Sequence, residues 1–264
     1  MVVTTVYQPT PAEVRQAKEI AGFLEIPYYE RGRRSLPELR RRCQADSVVV
    51  AAAAGPRIHT EQGELFFHIG MAALRIKNLR DGKPDHMTAA MQLEQGVTVL
   101  DCTLGMGSDA IVASMLTGRE GVVTGLETVP AIAFITGWGL ANASADIPEI
   151  TAAMRRIRVV AADYRHYLPS LPDQCVDVVY FDPMFCRPVQ GSSGIRALRE
   201  FADSSRLQPA DLQEACRVAK KRVIVKQLQG SGECSRLGIS TLIGGRYSRI
   251  QYGVMEREAF RWKK

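Results

Sequence analysis

Apolar residues along the 264-residue chain fall into two rhythms. From Gly96 onward, short runs of Val, Ile and Leu alternate with longer segments whose apolar positions recur every three or four residues. Val97 to Leu100, Val122 to Leu126, Ile157 to Ala161, Val176 to Phe181 and Arg222 to Lys226 read as strands. Ser108 to Thr117, Pro130 to Asn142 and Leu212 to Lys220 read as helices. Strand–helix alternation of this kind predicts an α/β fold, a parallel doubly wound sheet with helices on both faces. Ser240 to Met255 carries Gly244-Gly245 between two strand-like runs and predicts a C-terminal antiparallel hairpin.

Residues 1–90 have a different texture. Val2 to Val6 reads as a strand and Pro11 to Leu24 as a helix, with proline at a permitted first-turn position. Short strands follow around Val48, Ile58 and Leu65, separated by glycine-containing turns. Met71 to Leu93 reads as helical with a break at Gly82-Lys83-Pro84. The expected organisation is a small α+β subdomain over 1–90, a candidate RNA grip, followed by the main domain over 91–264.

Composition narrows the class. Hydrophobic residues are 46% and charged residues 23%, as in ordinary globular domains. No apolar run approaches the roughly 18 residues of a membrane span. Met1-Val2-Val3-Thr4-Thr5 shows no secretory pattern, so the expected address is the cytoplasm, without a membrane partner. The six cysteines form no C-x-x-C pair and the four histidines share no ligand spacing, so no metal site is expected. A net charge of +6 permits a polyanionic partner, since Lys and Arg that neutralise phosphates drive nucleic-acid binding. The densest basic run, Arg31 to Arg42, fits either a solvated helix face or an RNA-backbone patch. Arg75, Lys77, Arg80 and Lys83 are placed to guide phosphates toward a cleft, and Lys226, at a strand end, to meet a phosphate or solvent.

Gly105-Met106-Gly107-Ser108-Asp109-Ala110 fits the G-x-G-x-x-G/A turn that follows the first strand of nucleotide-binding sheets. Asp101, at the strand end before it, repels a diphosphate and suits a cationic ligand. S-adenosylmethionine (SAM) is such a ligand, with an amino group and a sulfonium. Glu127 ends the second strand, 20 positions past the second glycine, and suits paired ribose hydroxyls. After the third strand, Asp163 is placed to accept from an adenine amine, with Tyr164 near the ring; capping a following turn is its simpler role.

Asp182-Pro183-Met184-Phe185 follows the fourth strand, at the sheet edge where open α/β sheets bind ligands. An exocyclic base amine is a weak nucleophile, because its lone pair is delocalised. Acceptors aimed at its hydrogens localise that pair and stabilise the charge developing on nitrogen. Asp182 is the candidate acceptor, Phe185 a face for an unpaired base, and Pro183 the stiffener that holds both. Gly191-Ser192-Ser193-Gly194 reads as a loop over the site.

Together, Asp101-x-Thr103-x-Gly105-x-Gly107-x-Asp109-Ala110, Tyr180 to Phe185 and Arg222 to Lys226 resemble the ribosomal RNA small-subunit methyltransferase J family. The resemblance runs from about Gly96 to Lys226. It implies a Rossmann-like class I methyltransferase domain, SAM as cofactor, and methylation of a guanine N2 in small-subunit rRNA. It assigns SAM contacts to Ser108, Asp109, Glu127, Thr128, Asp163, Tyr164 and Asp182. Ser108 and Thr128 stand where that family usually has arginine, and Asp163-Tyr164 where it has two serines. Two other readings remain open: a methyltransferase for a protein or small molecule, and a noncatalytic RNA-binding protein with this fold.

Overall fold

A computed structural model describes residues 1–183 and 206–257 of the chain. Two sheets organise them. The smaller is built from β1 (Val2–Thr5), β2 (Val48–Ala51), β3 (Arg57–His59) and β4 (Glu64–Phe66), in that order. β2, β3 and β4 form the antiparallel meander that the sequence suggests, but β1 lies parallel to β2, with Val2 beside Val48. Parallel neighbours need a crossover. Here α1 (Pro11–Leu24) and α2 (Leu36–Cys43) provide it. Thr10 and Glu13 close a capping box at the start of α1, which fixes where that helix begins.

The larger sheet has seven strands. After α3 (Gly70–Arg80) and α4 (His86–Met91), the chain runs through β5 (Thr98–Asp101), α5 (Ser108–Thr117), β6 (Val122–Glu127), α6 (Pro130–Asn142), α7 (Pro148–Arg156) and β7 (Ile157–Ala161). It continues through α8 (Tyr164–Tyr167), β8 (Val176–Phe181), α9 (Pro209–Val218), β9 (Ala219–Leu228), α10 (Glu233–Arg236), β10 (Thr241–Ile243) and β11 (Ile250–Glu256). The spatial order is β10-β11-β9-β8-β5-β6-β7. β5 through β9 pair in parallel, and β11 inserts antiparallel between β9 and β10. From β5 the chain winds outward to β6 and β7, then returns to β8 on the other side. The topological switch point therefore lies between the carboxyl ends of β5 and β8. α7 is absent from the sequence-based expectation; Pro148 opens it, and Ile150, Ala153 and Met154 form a short buried stripe.

Alternation along the central strands divides the core in two. Val99, Val178, Tyr180 and Ile224 face a layer that includes Ile76 of α3, Met87 and Met91 of α4 and Ile111 of α5. Leu100, Val179, Phe181, Val223 and Val225 face Leu212, Ala215 and Val218 of α9. With both faces covered, the strands are apolar nearly throughout, and Val178 to Phe181 are almost completely buried. The same alternation aims the Tyr180 ring toward α5 rather than α9.

The smaller sheet is not separate from this core. Val3, Val49, Ile58 and Leu65 pack with Ile132 and Ile135 of α6. The join is tight at Gly139, where a Cβ would lie 1.9 Å from Cγ of Phe67. Cγ sits one bond from Phe67 Cβ, so the ring cannot simply swing aside. Gly139→Ala should therefore cost about 1–3 kcal/mol of overpacking, offset in part by the roughly 1 kcal/mol that Ala gains over Gly in a helix. The net loss is measured as a lower denaturation midpoint; an unchanged midpoint would mean that Phe67 gives way freely.

Candidate active site

A cavity of about 560 Å³ opens at the switch point, lined from the carboxyl ends of β5, β6, β7 and β8. Asp101, Gly105, Ser108, Asp109, Glu127, Thr128, Asp163, Tyr164, Asp182 and Pro183 all reach its wall. Gly107 sits just behind, at the cap of α5 with φ of 77°, and a Cβ there would press on Thr136. Phe185 and the Gly191 to Gly194 segment lie outside the described residues.

Asp101 ends β5 and is 2% exposed. Its Oδ1 accepts from the Thr103 N–H at 3.0 Å, and among the described residues no cation lies at ion-pair distance. Burial pushes its pKa up to about 8, with Asp109 and Asp182 adding to the rise. A buried carboxylate so placed is suited to a cationic ligand group, which supplies the missing countercharge.

The glycine turn is fastened to β6. The Gly105 N–H donates to Glu127 Oε2 at 3.0 Å, and the Val129 N–H to Oε1 at 2.9 Å. The Thr136 hydroxyl donates to the Gly105 carbonyl at 2.7 Å. Each Glu127 oxygen uses one acceptor site on the backbone and keeps another for ligand hydroxyls. Burial raises the Glu127 pKa against the pull of those amides. Gly105 has φ of 51°, and among the described residues a Cβ there would meet only the Thr103 carbonyl oxygen, at 4.0 Å, so the turn leaves room beside it. The first turn of α5, with Ser108 at the wall, presents backbone N–H groups that favour an anionic ligand group.

Asp163 takes the simpler of its two expected roles and still reaches the cavity. It caps α8, accepting from the Arg165 N–H at 2.8 Å, and also lines the cavity. The Arg165 side chain bonds both its oxygens and holds its pKa down. Tyr164 and Phe181 meet in a T-shaped contact, ring centres 5.3 Å apart, and Tyr164 also lines the cavity.

Beside Asp182 lies a charge network that the sequence alone does not disclose. Lys226 Nζ donates to Asp182 Oδ2 at 2.7 Å and to Asp109 Oδ2 at 3.0 Å. The Tyr180 hydroxyl donates to the same Asp109 oxygen at 2.6 Å, and Arg75 Nη1 bonds Asp109 Oδ1. Arg75 also grips Asp85 through two bonds, at 2.7 and 2.9 Å. Burial disfavours the ionised Asp109, but Lys226, Arg75 and Tyr180 outweigh it and hold its carboxyl well below the usual range. Burial likewise opposes the charge on Lys226, yet Asp182 and Asp109 keep it firmly protonated. Asp182 stays raised, because burial and the Asp109 charge exceed the pull of Lys226.

This arrangement reassigns two basic residues. Arg75, a candidate phosphate guide by its sequence position, is committed to Asp85 and Asp109; Lys226 is committed to the two carboxylates rather than to solvent. Thr103 is a further contributor: its hydroxyl accepts from the Asp182 N–H at 2.6 Å, fixing the corner after β8 to the loop after β5. Met71, Ile250 and Tyr252 complete the wall, brought from α3 and β11 by pairings that no local signal announces.

Residues 58–250 match the family described as "Putative SAM-dependent methyltransferase". An uncharacterised protein of Bacillus subtilis (strain 168), YpiP, is 38% identical over 255 residues, covering 96% of this chain and 98% of its own. Ribosomal RNA small subunit methyltransferase J of Aeromonas salmonicida (strain A449) is 31% identical over 186 residues, covering 66% of this chain and 70% of its own. Among solved structures, the SAM-dependent methyltransferase NGO1261 of Neisseria gonorrhoeae has the same fold. Its TM-score is 0.64, with 18% identity over 97% of this chain and 96% of that one.

Two outcomes follow for ligand binding. Asp101, with its pKa near 8, is largely protonated below neutrality and must ionise to pair with an ammonium group. SAM affinity should therefore rise between pH 6 and 7.5, by up to about tenfold per unit, and Asp101→Asn should flatten the slope in calorimetry. A flat profile in the wild type would mean that Asp101 is already ionised. Glu127→Ala should weaken SAM binding by roughly 1.5–3 kcal/mol, the scale of a charged hydrogen bond, and unchanged affinity would remove Glu127 from the ribose role.

Proposed function

We propose a substrate for a chain that belongs to the ribosomal RNA small subunit methyltransferase J family of SAM-dependent methyltransferases. It methylates the exocyclic N2 amine of a guanine in small-subunit rRNA. The observation that carries this reading is the Asp182 carboxylate, held by Lys226 on the wall of the same cavity that gathers Asp101, Glu127 and Asp163. The likeness to methyltransferase J supports the RNA substrate.

Bound SAM supplies a methyl group made electrophilic by its sulfonium. Asp101 answers the amino group of the cofactor, the α5 N-terminus its carboxylate, Glu127 its ribose, and Asp163 with Tyr164 its adenine. Asp182 accepts a hydrogen bond from the substrate amine, localising the nitrogen lone pair and stabilising the positive charge that grows on it. Lys226 and Thr103 hold Asp182 in one orientation before the base arrives, so little reorganisation is left for the reaction itself. The proton leaves the amine after the methyl has arrived, and Asp182, with its raised pKa, is suited to receive it.

Residues 1–90 form the unit that helps grip RNA in this reading. Arg31 and Arg34 are bonded to backbone carbonyls, and Arg40 pairs with Glu61. Arg33, Arg41 and Arg42 stay exposed and are the members of the basic run available to phosphates. No helix among the described residues is long and apolar enough to cross a membrane. An rRNA substrate places the enzyme in the cytoplasm.

The test is tritiated methyl transfer from SAM to undermodified small-subunit rRNA or subunits, followed by nucleoside analysis. Label in N2-methylguanosine is expected. Label absent from RNA but present on a protein or small molecule would move the substrate, leaving the cofactor site intact. Asp182→Asn should lose most turnover while SAM affinity stays within about tenfold, since the lost interaction is made mainly in the transition state. Lys226→Met should also lower kcat, because it frees Asp182 and leaves two partly buried carboxylates without their shared cation.

A further inference from the structure

From the hairpin tip between β10 and β11, we infer a second RNA contact: Tyr247 stacks on an unpaired base flanking the target nucleotide, while Arg246 and Arg249 hold adjacent phosphates. This rests on the RNA reading above and names how the substrate is held outside the cavity.

Tyr247 is 91% exposed, the most exposed of the large hydrophobic side chains among the described residues. The Arg246 guanidinium lies 5.7 Å from its ring centre, and Arg249 is exposed two residues on. Apart from Arg246 over one side, such a ring has no packing duty in the folded chain and stays almost wholly exposed. The backbone beneath it is nevertheless built. The Ser248 N–H donates to the Gly245 carbonyl at 3.0 Å, the Ile250 N–H to the Ser248 hydroxyl at 3.1 Å, and the Gln229 N–H to the Arg249 carbonyl at 2.8 Å. Gly245 packs so closely on His86 of α4 that a Cβ would lie 2.7 Å from its Nε2. A floppy tip would lose entropy on binding RNA; this one presents its ring from a seated turn.

Register puts the tip beyond the sheet edge that carries the cavity. Lys226 pairs with Tyr252 and Leu228 with Ile250, while Phe181, just before Asp182, pairs with Val225. β11 therefore begins at the sheet edge that carries Asp182, and Ile250 and Tyr252 line the cavity. Tyr247 is five positions from Tyr252, at most about 17 Å along an extended chain. That reach is comparable with a few nucleotides of a single strand beside the target. Aromatic faces flanked by arginines are the ordinary equipment for single-stranded RNA, where unstacked bases need a platform and phosphates need cations.

The experiment measures binding and methylation of undermodified small-subunit rRNA by the full chain and three variants: Tyr247→Ala, Tyr247→Phe, and Arg246→Ala with Arg249→Ala. Tyr247→Ala should raise the RNA Kd and KM about tenfold, with kcat and SAM affinity unchanged. Tyr247→Phe should stay within about twofold of wild type, because stacking uses the ring and not the hydroxyl. The double arginine variant should lower the slope of log affinity against log salt by about 1.4, as two single-strand phosphate contacts require. Normal RNA affinity and KM in Tyr247→Ala, with RNA methylation by the wild type intact, would overturn the contact and leave the proposed function standing. Failure of the wild type to bind or methylate RNA while it binds SAM would overturn both.

Discussion

Two carboxylates held side by side in a cavity wall, each partly shielded from water, repel, and that repulsion is costly unless a cation answers both. Lys226 is that cation, bonded to Asp109 at the start of α5 and to Asp182 at the end of β8. It stands on β9, beside β8 in the sheet, so one ammonium joins three elements at the point where the winding reverses. The glycine turn, the Asp182 corner and the terminal hairpin all take their positions next to this contact. Its geometry is enforced by the sheet, whose central strands are buried on both faces and cannot slip by one residue without exchanging their two cores.

The network then extends outward through Arg75. Held by Asp85 and Asp109 together, this side chain fixes α3 and the start of α4 against the cavity. α3 follows the small sheet in the chain, and the small sheet packs on α6 through Ile58, Leu65, Ile132 and Ile135. The small sheet thus reaches the main sheet through α6, while α3 and α4 join it both through the Arg75 ion pairs and through Ile76, Met87 and Met91 in its core. The basic run from Arg31 to Arg42 divides likewise: Arg31, Arg34 and Arg40 hold the structure, while Arg33, Arg41 and Arg42 face solvent.

Legibility in the sequence followed how local each signal was. The five parallel strands and helices α1, α5 and α6 were readable because apolar periodicity and caps act over a few residues; Thr10-Pro11 marks the start of α1 unaided. α7 escaped because its nine residues hold one short apolar stripe after a polar loop. The parallel pairing of β1 with β2 was equally hidden, since strand direction depends on a crossover and not on the strand's own residues. At the site, the acids at strand ends could be marked from spacing, because the parallel sheet carries all those ends to one edge.

What the sequence determined by itself was therefore the alternation of strand and helix, the glycine turn, and the identity of the acids that meet at the sheet edge. Tertiary structure alone decided which charges neutralise which. Lys226 is 44 positions from Asp182 and 117 from Asp109, and Arg75 is 34 from Asp109. No periodicity spans such distances. Those partners are selected by strand order and by the pleat that sends Tyr180 to one face and Phe181 to the other, both properties of the assembled sheet.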